Sequence, residues 1–497
     1  MDLARKVSPR RILATALPLA LAACRMGPDF RAPDPPTAAS YTMGTQPEAT
    51  AAAEGVAQRF VASRDIPTDW WKLYASPKLD QLVRMALEAS PTLAQARARL
   101  VQAQEALGAR TNATLWPSLD ASAGISRKKV DPAALGIPSA PAVDPFTLYH
   151  IGIDVSYTVD VFGGARRELE ALAADVEVWR YELLAARLAL TANTVTTVIR
   201  QAKLRAQIAS TQNILDAQSR QLTIAEERLR LGSVASVEVA NQRALVAQTR
   251  ATLPPLERDL AQARHALAIY VGVAPGDATL PIVELSDLTL PSDVPMTLPA
   301  DLVRQRPDIR VSEALLHSAC ARVGVAKANL FPRLTLFGSV ASDRTEIEDI
   351  FGRGSNVYNF GFSLLQPLLH MPELQARKRE AIAAFDEAEA AYRMAVLTGL
   401  ANVADALRAL EQDANALAAR SEQVREAEAA YAITAERNRL GGVSQLEVLD
   451  AERERLHAEL ERSEAAADRL ADTAALLQAM GGGWWERDEN LPVSDAR

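Results

Sequence analysis

Residues 204–231 read LRAQIASTQNILDAQSRQLTIAEERLRL and end a longer segment, residues 163–231, that contains no proline. The segment predicts a single helix of about 68 residues, which at about 1.5 Å per residue spans about 100 Å. Positions that recur at alternating steps of four and three residues form a heptad seam, the pattern of a coiled-coil helix: Leu204, Ile208, Thr211, Leu215, Gln218, Leu222, Ala225 and Leu229.

A second stretch, residues 373–440, has the same character. It is also free of proline, and apolar side chains recur in it every seven residues at Leu410, Leu417, Val424 and Tyr431. Helices in globular proteins average about 11–12 residues. Two helices of this length are therefore not built to fold around a compact core but to reach across a distance.

The two long segments belong to two copies of one structural repeat, which we predict to cover residues 76–290 and 291–485. The turns that end the long helices match closely, with RLRLGSV at residues 228–234 and RNRLGGV at residues 437–443. A repeat at a separation of about 209 residues is strong evidence that each copy is one structural unit. Residues 486–497 remain as a C-terminal tail.

Each copy predicts the same order of elements: a helix, a pair of strands, the long helix and a return helix. The strand pairs occupy residues 118–162 and 333–370. In the first copy the leading helix breaks at Pro91, and the return helix is interrupted at Pro254 and Pro255, because proline removes a backbone donor and crowds the preceding turn.

The strands alternate in character, with apolar side chains on one face: Leu119, Ala121, Ala123, Ile125, Ile151, Ile153, Val155, Tyr157, Val159, Val161, Leu334, Leu336, Gly338, Val340, Tyr358, Phe360, Phe362 and Leu364. This pattern fits a soluble sandwich with an apolar core, and it equally fits a transmembrane barrel with lipid outside and water inside. The long helices attached to the strand ends favour the barrel, since a sandwich has no use for them.

Composition excludes several classes of function. The chain has 497 residues, a net charge of −8 and a pI near 5.4, so a nucleic-acid partner is not expected. With five histidines and two cysteines, it carries no phosphate-binding loop, no zinc-spaced cluster and no nucleophile elbow. We therefore predict that it is not an enzyme and binds no metal.

The N-terminus is predicted to be a signal peptide, residues 1–23, with four basic residues followed by a short apolar run. The small residues before Cys24 resemble a bacterial lipobox, in which the cysteine becomes the acylated first residue of the mature protein. Arg25 follows instead of the aspartate that retains lipoproteins in the inner membrane, which favours the outer membrane. The alternative is an ordinary cleaved signal peptide that happens to contain a cysteine.

Residues 24–75 are rich in proline, alanine and threonine and predict an extended tether that wraps the body. Acylation of Cys24 leaves Cys320 without a partner, so we expect a buried thiol and no disulfide. Apart from the covalent lipid on Cys24, no cofactor is expected.

Four strands per chain cannot close around a lumen, and a sheet with open edges cannot exist in a bilayer; the chain must therefore oligomerise. At this point it resembles the TolC family of outer-membrane channel proteins, in the OprM- and NodT-like lipoprotein branch that serves tripartite efflux pumps. The features that carry the resemblance extend from residue 1 to Trp485: the lipobox at Cys24, Met26-Gly27-Pro28-Asp29-Phe30 (similar to V-G-P-D-Y), Trp70-Trp71, Arg306-Pro307-Asp308-Ile309, Phe331-Pro332 and Gly481-Gly482-Gly483-Trp484.

The resemblance implies a membrane α+β fold. Three chains form a homotrimer whose twelve strands, four per chain, close one outer-membrane β-barrel. The barrel is continued through the periplasm by a long α-helical coiled-coil tunnel that is shut at its far end by the helical hairpin tips.

The resemblance also implies functional residues at the tips. Acidic residues that narrow the pore match Glu447 and Asp450 in the second tip and Glu238 in the first. The turns that contact the periplasmic adaptor match Gly232, Ser233, Val234, Gly441, Gly442 and Val443. The residues alone also allow a simpler interpretation. In that interpretation the carboxylates are solvated groups near a helix N-terminus, and the glycines serve as helix caps.

One departure from the family concerns the closed state. Val443 stands where TolC has an arginine that helps to latch the tip, so that latch is expected to be absent here. Arg437 and Arg439 are the candidates for a replacement.

The predicted function is a passive outer-membrane conduit of a tripartite efflux pump that exports drugs or other small molecules. An inner-membrane RND-type transporter supplies the energy, and a periplasmic adaptor (membrane fusion protein) connects the two. The alternatives are an exit duct for type I secretion, which the lipobox disfavours, and a structural coiled-coil envelope lipoprotein, which has no use for four alternating strands.

Overall fold

A computed structural model describes residues 26–34, 36–37, 40–42, 48–62, 66–129, 141, 144–277, 279–352, 354 and 356–483. The predicted signal peptide, the lipidation site Cys24, Trp484-Trp485 and the tail 486–497 lie outside the described residues. Among the described residues, no helix combines the length and the apolar composition needed to cross a membrane.

The described elements follow the predicted order, twice. The first half contains strand β1, a 3-10 turn at Trp70–Tyr74, helices α1 to α4 and strands β2 and β3: β1 Arg59–Ala62, α1 Pro77–Ala89, α2 Pro91–Leu115, β2 Ser118–Lys128, β3 Phe146–Val159, α3 Gly164–Arg230 and α4 Ser236–Tyr270. The second half contains strands β4 to β6 and helices α5 to α8, besides short 3-10 turns at Leu285–Asp287 and Ile347–Asp349: β4 Asp293–Met296, α5 Pro299–Gln305, α6 Pro307–Ala328, β5 Arg333–Arg344, β6 Asn356–Leu365, α7 Met371–Arg439 and α8 Gln445–Ala479.

The chain divides into two compact units. The sheet unit comprises the described parts of Met1–Pro33, Leu100–Val178 and Ser312–Tyr392, and the helix unit comprises those of Asp34–Arg99, Trp179–Val311 and Arg393–Arg497. Each unit draws on both repeats, so neither repeat is a separate domain.

The two long helices are confirmed. Helix α3 has 67 residues and α7 has 69, and all twelve predicted heptad positions are buried or half-buried. Both end in a glycine with positive φ, +75° at Gly232 and +76° at Gly441. The amide of the residue after each glycine donates to a carbonyl of the last helical turn at 2.8 Å, which is the Schellman arrangement that ends a helix.

The leading helix breaks as predicted, since α1 ends at Ala89 and α2 begins at Pro91. The predicted interruption of the return helix is wrong, because α4 runs without a break through Pro254 and Pro255. The two prolines take away the amide donors for the carbonyls of Arg250 and Ala251. Both of these residues are exposed, so water can satisfy their carbonyls and the helix continues.

The core of the helix unit forms around the aromatic turn at Trp70–Tyr74. Trp71 donates from its indole nitrogen to Asp80 Oδ1 at 2.9 Å, and the Tyr74 hydroxyl donates to the carbonyl of Leu470 at 2.9 Å. Burial raises the pKa of the Tyr74 phenol, which therefore stays neutral. The unit also contains a short parallel pair of β1 and β4, which the sequence did not predict.

The sheet unit contains one four-stranded antiparallel sheet in the order β2-β3-β5-β6. The two strand pairs meet at β3 and β5, where Ile153 lies opposite Val340 and Val159 opposite Leu334. This register joins the two repeats in one sheet, and the predicted apolar positions within the four strands fall on one face of it. Val161, which was also predicted for this face, lies beyond the end of β3 at Val159.

Candidate functional site

The apolar face of the sheet is exposed. Tyr358, Phe360 and Phe362 on β6 keep 72%, 79% and 72% of their surface accessible, and exposed residues also occur on β2, β3 and β5. A contiguous apolar surface of this kind marks an interface with another protein or with lipid. The sandwich interpretation is wrong, because a sandwich buries this face in its core.

The opposite face is polar. Asp154 on β3 lies between Asp120 on β2 and Ser339 on β5. His150 Nδ1 lies 3.0 Å from Asp343 Oδ1, and His150 Nε2 lies 3.1 Å from the Ser122 hydroxyl, so one imidazole connects three strands. An apolar face opposite a polar face is the alternation of a transmembrane barrel strand with an aqueous lumen.

The sheet also has two open edges. In the part of the chain that the structure describes, β2 pairs only with β3 and β6 pairs only with β5. Unpaired backbone groups at a long edge bind another strand, and in a bilayer they must do so. The sheet is therefore incomplete as a single copy.

The second hairpin tip, between α7 and α8, carries Glu447 in the first turn of α8. The Ser444 amide and hydroxyl both donate to Glu447 Oε1 at 3.0 Å, and the Glu447 amide donates to the Ser444 hydroxyl at 3.3 Å. This reciprocal pair is a capping box. The hydrogen bonds from Ser444, together with the charge of Arg437, hold the pKa of Glu447 below its usual range.

Asp450 lies one turn further along α8 and is half-buried. It accepts a hydrogen bond from Gln221 Nε2 on α3 at 3.2 Å and lies 3.4 Å from Arg453 Nη1. Gln221 in turn accepts from Gln242 Nε2 on α4 at 3.0 Å. Asp450 thus takes part in a polar bridge that connects three helices.

A neighbouring ion pair joins the same two hairpins. The guanidinium of Arg220 on α3 contacts both carboxylate oxygens of Glu452 on α8, at 3.0 and 3.1 Å. Neither this pair nor the Gln221–Asp450 contact was predicted from the sequence. The pattern of charges on an exposed helix does not show which neighbour each charge will face.

The first tip, between α3 and α4, differs from the second. Glu238 is exposed in the first turn of α4, but the N-cap position is Ala235, which has no side-chain acceptor. Gly232 and Ser233 are exposed and Val234 is half-buried. The turn of the second tip has the same pattern, with Gly441 and Gly442 exposed and Val443 half-buried.

The two arginines proposed as replacement latches behave differently. Arg439 Nε donates to Glu436 Oε2 on its own helix at 2.7 Å, so Arg439 forms an ion pair within α7. Arg437 lies near enough to Glu447 to lower the pKa of that carboxyl. The backbone carbonyl of Val443 accepts a hydrogen bond from Asn438 Nδ2 at 2.9 Å.

Among the described residues, no group of three or more histidine, cysteine, aspartate or glutamate side chains is arranged to hold a metal ion. Cys320 is a buried free thiol, and burial raises its pKa, so it is held in the neutral form.

Comparison with known proteins identifies the class. The family model described as outer membrane efflux protein matches residues 82–273 and 298–482, one segment in each repeat. The pyoverdine export outer membrane protein OpmQ of Pseudomonas putida is 30% identical, over 96% of this chain and 98% of its own. The toluene efflux pump outer membrane protein TtgF of the same species is 28% identical, over 95% and 96%.

Solved structures agree with the sequence relatives. The outer-membrane channel OprN matches 93% of this chain and all of its own with a TM-score of 0.80 and 28% identity. The open state of the Neisseria gonorrhoeae MtrE outer membrane channel matches 93% of this chain and 98% of its own with a TM-score of 0.78 and 26% identity.

The fold and the sheet therefore define an outer-membrane channel protein with two structural repeats, as the sequence predicted. The chain belongs to the outer membrane efflux protein family. It is located in the outer membrane and serves as the outer-membrane component of an efflux system. The family is one of channel-forming efflux proteins.

Proposed function

We propose that this chain acts as a homotrimer and forms a passive conduit for drugs or other small molecules. The observation that carries the proposal is the four-stranded sheet with an exposed apolar face and two open edges. Three copies pair β6 of one chain with β2 of the next and give twelve strands, which close a barrel without free edges. The helices then supply the periplasmic tunnel.

The conduit is narrowed at the tips by the carboxylates of Glu447, Asp450 and Glu238, which a threefold axis repeats as rings. Rings of carboxylates attract cations and repel anions. The bridge from Gln221 and Arg220 to α8 takes the place of the latch that Val443 cannot provide. It holds the two hairpins of one chain together, and its release widens the tip.

The partners follow from the family. The turns at 232–234 and 441–443 contact a periplasmic adaptor, and the adaptor connects the trimer to an inner-membrane RND-type transporter, which provides the energy. Relatives export pyoverdine or toluene, and this chain exports whatever small molecules its transporter delivers. A lipid on Cys24 anchors the mature protein in the outer membrane.

Native mass spectrometry of the detergent-solubilised full chain tests the assembly. The proposal predicts three copies, each carrying the added mass of a diacylglyceryl group and an N-acyl chain. A protein that is monomeric at all concentrations and does not insert into outer membrane would contradict the proposal and favour a coiled-coil envelope lipoprotein. Trimers that conduct an unfolded polypeptide would instead favour a type I secretion duct.

A further inference from the structure

The sheet unit contains an arginine that the efflux function does not explain. Arg167, in the first turn of α3, has a side chain only 1% exposed. Its guanidinium contacts Glu170 Oε2 at 2.9 Å and Asp29 Oδ1 at 2.8 Å, and it donates to the carbonyls of Met26 at 3.0 Å and Gly27 at 3.3 Å. A buried guanidinium is costly unless it is fully paired, and three of these four partners belong to the N-terminal segment.

The N-terminal segment also packs closely against α6, and two glycines make this close packing possible. Gly27 has φ +100°, and a Cβ at this position would lie 2.6 Å from the Cα of Gly324 on α6. A Cβ on Gly324 would lie 2.8 Å from the Met26 carbonyl oxygen and 2.8 Å from Arg167 Cγ. Two glycines therefore allow the segment to lie directly against α6 and the arginine.

Further contacts continue along the segment. The Cys320 thiol donates to the carbonyl of Pro28 at 3.6 Å. The ring of Phe30 stacks on His317 with centroids 4.4 Å apart and an interplanar angle of 12°. His317 Nε2 lies 3.1 Å from Glu170 Oε1, so the stacked ring is tied to the carboxylate that pairs with Arg167. Each of the five residues 26–30 thus makes a specific contact.

The site lies at the end of the sheet. Strand β3 ends at Val159, and the carboxylate of Asp160 accepts from the amides of Ala165 and Arg166 at 3.1 and 2.9 Å, in the first turn of α3. Arg167 is the next residue. Met26 is two residues from Cys24, and two peptide units span at most about 8 Å.

We infer that Arg167 is the positioning residue for the lipidated N-terminus: it clamps residues 26–30 against α3 and α6 and so holds the acylated Cys24 beside the end of the membrane sheet. The inference rests on the proposed acylation of Cys24. Its consequence is that the lipid anchor enters the membrane at a defined place next to the barrel, and not on a free tether.

Cys320 provides the assay, because it is 3% exposed and the docked segment lies over it. In trimers purified from outer membrane, maleimide labelling of Cys320 is measured for the wild type and for Arg167→Met. The clamp predicts labelling at least about tenfold faster in the variant, since loss of one partner from a buried charged cluster populates the open state. Arg167→Lys, which keeps the charge but not the fork of donors, is expected to give an intermediate rate.

Arg322→Met is the matched control, because Arg322 is an arginine of the same unit, 63% exposed, that pairs with Asp175 at 2.9 Å. It is expected to label at the wild-type rate. A spin label at Arg31→Cys in a Cys320→Ala background gives the second readout, which is expected to be immobile in the wild type and in Arg322→Met and mobile in Arg167→Met.

Unchanged labelling and unchanged mobility in Arg167→Met trimers would overturn the inference. If that variant does not assemble, Gly27→Val disturbs the docking from the side of the segment and must give the same increase in both readouts; its failure to do so overturns the inference as well. Intact mass tests the lipid anchor separately from the docking. A wild-type protein without the acyl mass refutes the anchor, while labelling measured on the peptide that contains Cys320 still tests the docking.

Discussion

Ser444 and Glu447 cap α8 reciprocally, with the Ser444 amide 3.0 Å from the carboxylate and the Glu447 amide 3.3 Å from the serine hydroxyl. The first tip has no such pair, since Ala235 stands at the N-cap of α4 and Glu238 stands three residues later. The two hairpins of one channel chain therefore differ in how firmly their return helices begin.

Removing the cap of α8 and adding one to α4 should reverse the difference in the stability of their first turns. Ser444→Ala removes the cap of α8, and Ala235→Ser completes a Ser-x-x-Glu capping box with Glu238. An N-cap serine changes the opening equilibrium of a helix end by about fivefold. Hydrogen exchange of the first-turn amides should accelerate by that factor in Ser444→Ala and slow by it in Ala235→Ser. No change in Ala235→Ser would show that the tip cannot adopt the cap geometry.

The same cap should depend on pH. The pKa of Glu447 is lowered by hydrogen bonds from Ser444, so the contribution of the carboxylate is present above its ordinary pKa of about 4.5. It is lost as the pH falls through the lower folded-state value. First-turn protection of α8 should therefore persist at pH 5 and weaken at more acidic pH, and Glu447→Gln should remove this dependence. A dependence that survives in Glu447→Gln would assign it to another group.

The bridge between the hairpins should control the tip. Arg220→Ala combined with Gln221→Ala removes the contacts from α3 to Glu452 and Asp450. Exposed ion pairs contribute about 0.2–1 kcal/mol each, so we expect a roughly two- to fivefold increase in the time spent open, measured as the open probability in single-channel recordings. The matched control is Arg243→Ala, because Arg243 pairs with Glu226 inside the first hairpin at 2.8 Å. This variant should leave the open probability unchanged. An equal effect of both changes would refute a specific role for the bridge.

Neighbouring residues on β6 test the orientation of the sheet. Phe360 lies on the apolar face and is 79% exposed, whereas Asn359 lies on the polar face. Arginine on a lipid face costs about 2–4 kcal/mol at the bilayer midplane. Phe360→Arg should therefore reduce the amount of folded protein in outer membrane by at least about tenfold, and Asn359→Arg should be tolerated. The reverse order would place the lumen on the other face.

A carboxyl group in the helix unit predicts a pH dependence of stability. Burial, followed by the nearby carboxylate of Asp472, raises the pKa of Asp413 to about 7 from an ordinary 3.8. The folded protein then keeps a proton that the unfolded chain has lost, so stability falls as the pH rises from about 4 to about 7. Asp413→Asn should flatten this slope and raise the apparent Tm at pH 8 by about 2–4 °C. A steeper slope in the variant would contradict the assignment.

The elements with a strong period could be predicted from the sequence. The heptads of α3 and α7 specify which side of each helix is buried, and the alternation of the four strands specifies which residues share a face of the sheet. The structure confirms both. The order of elements could be predicted because the sequence contains two copies of it. Features that occur in both copies belong to the fold. The resemblance supplied the outer-membrane channel, which the comparisons confirm.

The contacts that depend on distant parts of the chain could not be predicted in this way. Arg167 is 138 residues from Asp29 in the sequence, and no pattern in α3 shows that an N-terminal segment covers it. The pairing of Arg220 with Glu452 depends in the same manner on how α3 faces α8. Helix α4 continues through Pro254 because water can satisfy the exposed carbonyls of Arg250 and Ala251. The expectation that proline interrupts a helix does not take this exposure into account.

We propose that the tip of this outer-membrane conduit is narrowed by carboxylates. The decisive measurement is single-channel recording in a planar bilayer of the purified full chain, of the Arg220→Ala/Gln221→Ala variant and of Glu447→Gln/Asp450→Asn. We expect a small cation-selective conductance, a higher open probability when the bridge is removed, and a loss of selectivity when the two carboxylates are neutralised. Membrane-inserted protein that conducts no ions in any of the three forms, or a cation selectivity that survives neutralisation unchanged, would contradict it.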